Sequence, residues 1–315
     1  MDPSHSLRRP TTELVWLRDG PDEVPSLVAG LDLVRRVARR DAARGWLCMI
    51  ANGTAHYLSA YASEELLSRV YSGDNEVYGV VAPGGRLREG PDGALVVDGC
   101  WRFGSGADRA AYMAMGCESA GGRGVKVLID RARLHLEHPW QGPGLLATAS
   151  HTLSARDIEV EPADVVEMSA LRPDRPRGIY ADGQLFLANM PGAPMGLAER
   201  LLELLAPGPP SGSPWQAARA AAATRVVLAR RGLTGLLQGF DALSRAGRLG
   251  PFAPALRAEY NAVLSAAYHV CVDAVLSLAD ACDSADPGLR RELAEARQDV
   301  LTMRPHGAMR PRTTT

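Results

Sequence analysis

The hydrophobic pattern of this 315-residue chain changes period twice, and that change limits the folds open to it. From about Val24 to Tyr71 apolar residues recur at three- and four-residue spacing, Leu27, Leu31, Val34 and Val37 among them, which predicts helices with Ser63-Glu64-Glu65 as one start. From Glu76 to about Phe186 the runs are short, β-rich and broken by Gly, Pro and Asp. Val125-Lys-Val-Leu-Ile129 and Ile158-Glu-Val160 are examples, and the pattern is that of a barrel or sandwich. From Met195 onward the helical period returns over Trp215 to Ala246, Pro254 to Ala281 and Pro287 to Met303, long segments that predict an antiparallel bundle of four helices. The Pro207-Gly-Pro-Pro-Ser-Gly-Ser-Pro214 stretch between them reads as a loop. The class is therefore α+β, divided into a helical part over 1–75, a central β domain over 76–190, a helical bundle over 191–307 and a disordered tail over 308–315.

Within the β part, strand residues alternate on either side of Asp98-Gly99, a dipeptide that accepts the positive φ of a tight hairpin, so a turn is expected there. Trp101 and Phe103, at i and i+2, are expected on one face of the following strand. Gly104-Ser105-Gly106 then places a hydroxyl and closely approachable backbone where a flat heteroaromatic ring could lie.

Composition narrows the function classes. Net charge is −1 and no Lys/Arg run is clustered with aromatics, so nothing points to nucleic acid. Five cysteines, Cys48, Cys100, Cys117, Cys271 and Cys282, form no C-x-x-C pair, which favours reduced thiols in a cytoplasmic protein. The N-terminus lacks an apolar signal core, and no segment is expected to reach the ~18 apolar residues of a membrane span. His135, His138 and His151 show no metal-ligand spacing, and no metal site is expected.

The order of several short motifs resembles one family. Ala82-Pro83-Gly84-Gly85, the Trp101-Arg-Phe103-Gly-Ser105-Gly106 block, Trp140-Gln-Gly-Pro-Gly144 through Ala147-Thr-Ala-Ser150 to Val160-Glu-Pro162, and the closing Asp299-Val-Leu-Thr-Met-Arg-Pro-His306-Gly307 resemble the acyl-CoA dehydrogenase superfamily. The likeness is narrower to its two-component flavin-dependent monooxygenase branch. It covers roughly Trp46 to Gly307 and implies the acyl-CoA dehydrogenase fold with a shortened N-terminal helical domain. It also implies reduced FAD or FMN as cofactor, supplied by a separate flavin reductase, O2 as co-substrate, and a homodimer or homotetramer. The reaction implied is hydroxylation of a small aromatic or amine-bearing metabolite, in the context of bacterial secondary metabolism and antibiotic biosynthesis.

The same resemblance assigns residues. Ser105 would hydrogen-bond the reactive edge of the flavin ring, with Trp101, Phe103 and Gly106 packing on it. His306 would reach the substrate as a base, a task suited to an imidazole near neutral pH. Thr54 stands at the position where this branch often has a histidine, and His56 lies two residues on, rotated by about 200° on a helix; both are candidate substrate contacts. Glu295 and Gln298 stand where the closing helix usually has arginines, with Arg297 one position away. Two other readings use the same residues. A flavin-free member of the fold would catalyse a non-redox step or act as a binding partner. An acyl-CoA dehydrogenase-type desaturase would need a carboxylate base, for which Asp283 and Asp286 stand without the expected G-Y-x-x-E setting.

Overall fold

The computed structural model describes residues 26–167, 171, 178–206, 214–282 and 286–310. Helices α1 (Leu27–Ala38), α2 (Ala42–Tyr61) and α3 (Glu64–Val70) come first. Strands β1 (Val77–Glu89), β2 (Leu95–Gly104), β3 (Tyr112–Ser119), β4 (Gly124–Asp130), β5 (His135–His138), β6 (His151–Val160) and β7 (Val165–Glu167) follow. Helices α4 (Gly192–Leu204), α5 (Pro214–Arg245), α6 (Pro254–Ala281) and α7 (Pro287–Met303) come after the strands. Most of the expected connector before Pro214, Asp283 and the tail beyond Arg310 lie outside the described residues.

Contacts group the described residues into two compact units, one formed by those of 50–140 and 148–167, the other by those of 26–49, 141–147 and 178–310. This grouping cuts across the chain-order division expected at 75 and 190, because α1 is tied to the later helices.

The first unit is built on one seven-stranded sheet in the order β5-β6-β2-β1-β3-β4-β7, with β1 and β3 parallel and the other pairs antiparallel. The expected turn at Asp98-Gly99 is not where β1 and β2 reverse. Both residues lie inside β2, and the chain turns at Gly90-Pro91-Asp92-Gly93-Ala94 instead, closed by Gly90 N–H to Ala94 O at 2.7 Å. That segment carries the stronger turn chemistry: a proline, an aspartate whose Oδ1 accepts from Ala94 N–H at 3.2 Å, and Gly93 at φ +83°. Gly99 serves a different purpose, since a Cβ there would lie 2.5 Å from Gly85 Cα and 2.7 Å from the Trp101 ring. Gly84, Gly85 and Gly99 together make room for the indole, whose Nε1–H donates to Gly116 O at 2.6 Å. Trp101 is 1% exposed and anchors the sheet.

In the second unit, Asp241 of α5 caps the start of α1, accepting from Ser26 Oγ at 2.6 Å and from the backbone N–H of Leu27 at 2.8 Å. These bonds satisfy N–H groups that a helix start leaves without partners. Gly192 and Gly196 let α4 lie directly on α1, where a Cβ at Gly196 would come within 2.2 Å of Arg35 O. Arg35 Nη1 bonds Glu199 of α4 at 2.6 Å along the same seam. The four helices expected after Met195 are present, with α6 in contact with α4, α5 and α7. Contrary to the expectation that no segment is apolar enough, α6 holds an 18-residue window of mean hydropathy 1.7, long and apolar enough to cross a membrane by length and composition. Half of that window is buried, with Leu264, Tyr268, Cys271, Val272 and Val275 in the core, which accounts for its composition.

Candidate functional site

Two short loops of the first unit meet where β2 ends and β6 begins. The β2–β6 register shifts between Trp101 and Gly104, and Phe103 takes φ +62°, a conformation costly for a bulky side chain. Phe103 therefore leaves the pleat. It does not share the face of Trp101 as expected; its ring is 57% exposed. The next turn carries Ser105 inward, 4% exposed, with its hydroxyl 2.8 Å from Ser150 Oγ. Ser150 Oγ lies 2.7 Å from Thr148 Oγ1, so three buried hydroxyls form a row. Between Thr148 and Ser150, Ala149 also has positive φ, +46°. Gly106 N–H donates to Thr148 O at 2.8 Å and ties the loops by their backbones. Two strained non-glycine residues thus flank one hydroxyl row, the kind of stored strain that collects at ligand sites.

A charged support holds the Ser105 turn. Arg109 grips the Glu76 carboxylate with two N–H groups, both at 3.0 Å, and Tyr78 OH donates to the same carboxylate at 2.7 Å. The Tyr78 ring fills the space beside Gly106, where a Cβ would be 2.5 Å from the ring. Gly106 has φ +83°, so glycine is required there on two counts.

On the outer side, Trp140 N–H donates to His151 Nδ1 at 2.8 Å, which leaves the ring proton on Nε2, 2.9 Å from Asp108 Oδ1. The half-buried Trp140 ring meets Phe103 edge-on at 6.0 Å, and the Arg102 guanidinium lies 5.0 Å from the Phe103 centroid. A partly exposed aromatic shelf with a cation at its edge therefore lies on the same short loops as the hydroxyl row.

The other expected residues take distinct places. Trp101 is enclosed by its glycines, so its indole supports the loop from within and presents no face to a ligand. Thr54 lies on α2, its Oγ1 2.8 Å from where a Cβ on Gly79 would stand. His56, on the same helix, is fully buried, and Ser105, Gly106, Thr54 and His56 all belong to the first unit.

His306 belongs to the second unit, just after α7. Its ring meets Trp46 at 5.6 Å, and its buried Nδ1 has no hydrogen-bond partner. Burial lowers its pKa to about 4, so the ring is neutral near pH 7. Side chains of α6 clasp the segment on both sides: Tyr268 OH donates to Met303 O at 2.7 Å and Ser265 Oγ to Met309 O at 2.8 Å. In the same unit a cleft of about 530 Å³ is lined by Asp41, Arg200, Glu292, Glu295, Gln298 and Asp299. Asp299 accepts from Leu145 N–H at 2.6 Å, and burial raises its carboxyl above the ordinary range. Arg297 instead pairs with Asp280 at 3.1 Å.

No family model matches the chain. It is 24% identical to the indole-3-acetate monooxygenase of Pseudomonas putida over 141 residues, 43% of this chain and 36% of that protein. It is 28% identical to HsaA, the oxygenase subunit of a flavin-dependent monooxygenase of Rhodococcus jostii (strain RHA1), over 144 residues, 44% of this chain and 37% of that one. The match thus spans little more than a third of these curated relatives. Among solved structures, the 3-HSA hydroxylase of Rhodococcus sp. RHA1 has a TM-score of 0.77 at 22% identity, covering 90% of this chain and 79% of that one. XiaF of Streptomyces sp., in complex with FADH2 and glycerol, has a TM-score of 0.78 at 15% identity, with 95% and 82% covered. TdsC of Paenibacillus sp. A11-2 with FMN and indole has a TM-score of 0.70 at 18% identity, with 88% and 80% covered. The chain has the acyl-CoA dehydrogenase-like fold.

Several residues that shape this site carry no clear mark in the sequence. Thr148 and Ser150 were visible as part of a strand motif, but their pairing with Ser105 spans 45 positions and no periodicity announces it. Glu76 and Arg109 lie 33 positions apart and carry no motif. The usable signal was two hydroxyls at i and i+2 in Thr148-Ala-Ser150, opposite a loop that also offers one.

Proposed function

We propose that this protein is the oxygenase component of a two-component system, a cytoplasmic enzyme that uses reduced FAD or FMN from a separate reductase to hydroxylate a small aromatic metabolite. The observation that carries this reading is the buried Ser105–Ser150–Thr148 row, flanked by two strained residues and the Phe103–Trp140 shelf. That arrangement fits a flat heteroaromatic ring with a polar edge: a surface for the ring beside a hydroxyl able to donate or accept. The relatives' names support the cofactor and substrate class, since they include a flavin-dependent monooxygenase, an indole-3-acetate monooxygenase and structures with FADH2, FMN and indole.

When bound, the reduced flavin supplies the electrons that activate O2. The chain's own residues bind and orient. Ser105 holds the reactive edge, Gly106 lets backbone approach, and Phe103 with Trp140 receives the ring. Trp101, Tyr78 and the Glu76–Arg109 pair keep the loop in place, so little reorganisation accompanies binding. Thr54 and His56 are assigned to the substrate side. His306, neutral near pH 7, is assigned the role of orienting the substrate through a hydrogen bond at its ring nitrogen. Assembly as a homodimer or homotetramer and a role in bacterial secondary metabolism, including antibiotic biosynthesis, belong to the same reading.

Titration of the purified protein with FAD, FMN and their reduced forms, followed by flavin fluorescence and thermal melting, tests it. Micromolar or tighter binding of a reduced flavin, weakened at least tenfold by Ser105→Ala, is expected. Failure to bind any flavin would overturn the proposal and favour a flavin-free member of the fold.

A further inference from the structure

We propose that Arg102 is the oxyanion-binding residue of the aromatic shelf: its guanidinium takes the phosphate or carboxylate group of a molecule that lies against Phe103 and Trp140. The inference rests on the flavin reading above and adds to it a charged residue that the reading leaves without a task.

Arg102 stands one residue before Phe103 at the end of β2 and is exposed. Its guanidinium carbon lies over the Phe103 ring, 5.0 Å from the centroid. Attraction between a cation and a ring limits where the side chain swings. It satisfies none of the five N–H donors by a hydrogen bond, so the donors remain for a ligand.

The neighbouring charges are differently placed. Arg109 grips the Glu76 carboxylate, Arg131 donates to the carbonyls of Ala107 at 2.7 Å and Leu134 at 3.0 Å, and Arg88 pairs with Asp98 at 2.9 Å and with Asp157. The acid of the neighbouring turn, Asp108, faces His151 Nε2 at 2.9 Å. Arg102 has neither a carboxylate nor a carbonyl acceptor among the described residues. Its positive charge is therefore uncompensated by the protein, and its contact with an aromatic surface sets it apart from an ordinary solvated arginine.

A guanidinium presents its donors as a planar fork that matches two oxygens of a carboxylate or a phosphate. The ligand implied is thus a flat ring with an anionic arm. FMN and FAD carry phosphate on the chain attached to the flavin ring, and an aromatic acid carries a carboxylate. Riboflavin has the same ring as FMN without the phosphate, so comparing the two separates the ring from the anion.

Arg102→Gln is the test, read by the dissociation constants of reduced riboflavin, FMN and FAD, and by those of phenylacetate and phenylacetamide on the FMN-loaded protein. If the flavin phosphate is the anion, the unaltered protein prefers FMN or FAD to riboflavin. Arg102→Gln then weakens the phosphorylated flavins about fivefold at low salt and leaves riboflavin within about twofold. If the anion is the carboxylate of an aromatic acid, all three flavins bind Arg102→Gln as they bind the unaltered protein, and the preference for phenylacetate over phenylacetamide falls about fivefold instead. In either case Arg102→Lys recovers only part of the loss, because an ammonium keeps the charge and loses the fork. Equal weakening of riboflavin and the phosphorylated flavins would make Arg102 a packing element of the shelf. No selective change in either set, failure of phenylacetate to bind included, would leave it a solvated surface residue. Both results overturn the inference while leaving the flavin reading intact. Absence of flavin binding to the unaltered protein overturns both.

Discussion

The imidazole of His306 meets the indole of Trp46 edge-on, with centroids 5.6 Å apart and planes at 69°. The contact sits under a chain segment clasped from α6 at Met303 and Met309, so the ring is held from the backbone on both sides. A histidine held in this way is kept dry and neutral, and its buried Nδ1 makes no hydrogen bond.

That burial makes stability depend on pH. The folded state lowers His306 from 6.5 to about 4, so between those values the unfolded chain binds the proton and the folded chain does not. Stability therefore rises with pH across the window and is fully present above it. Between pH 7.5 and pH 5 the unaltered protein should lose about 2 kcal/mol more than His306→Gln, measured by urea unfolding. Equal losses in the two proteins would show that His306 is not kept neutral by the fold.

Glu76 and Arg109 form a two-pronged pair in which the carboxylate is 8% exposed. Removing one partner leaves a charge in a poor solvent, which costs about 3–5 kcal/mol in fully buried pairs and less where one side reaches water. Glu76→Gln is expected to destabilise the protein by about 2–3 kcal/mol. Adding Arg109→Met to it should cost little more, because the two substitutions break the same interaction. A double-mutant cycle by urea unfolding measures this, and additive losses would mean that the pair is not a unit.

Gly106 and Gly93 share φ +83° but differ in surroundings. Alanine at either meets the left-handed backbone penalty of about 1–2 kcal/mol. At Gly106 the new methyl also enters the Tyr78 ring, adding about 1–3 kcal/mol, whereas at Gly93 the nearest atom is 3.7 Å away. Gly106→Ala should therefore lower the melting temperature clearly more than Gly93→Ala, and should also weaken flavin binding. Similar melting temperatures would remove Tyr78 from the support of the loop.

What the sequence made legible follows from the range of the forces involved. The Ser63 cap, whose Oγ accepts from Leu66 N–H at 3.1 Å, and the limits of α6 and α7, both begun by proline, rest on neighbours within a few positions. Gly99 read as a turn because Asp-Gly is a turn dipeptide, yet its lack of a side chain answers to Gly85 and Trp101 across the sheet. Strict alternation puts Phe103 on the face of Trp101, and a bulge against β6 cancels alternation without any mark in β2 itself. The Ser105 loop was visible as a motif. Its partners at 148–151, its support at Glu76 and its shelf at Trp140 come from other strands and loops and needed coordinates.

Phe103 separates stability from function. Its φ of +62° suits glycine, so Phe103→Gly relieves strain worth about 1–2 kcal/mol while giving the unfolded chain added freedom worth about 0.5–1 kcal/mol. The ring is largely exposed, and its main contacts are the edge of Trp140 and the Arg102 guanidinium. The two backbone effects nearly cancel, so the flavin-free stability of Phe103→Gly should stay within about 1 kcal/mol of the unaltered protein. The shelf, however, loses one of its two rings, and reduced flavin should bind at least tenfold more weakly. Chemical denaturation beside a flavin titration decides it. A large stability loss with unchanged flavin affinity would make Phe103 a folding residue and leave its strained backbone without a functional cause.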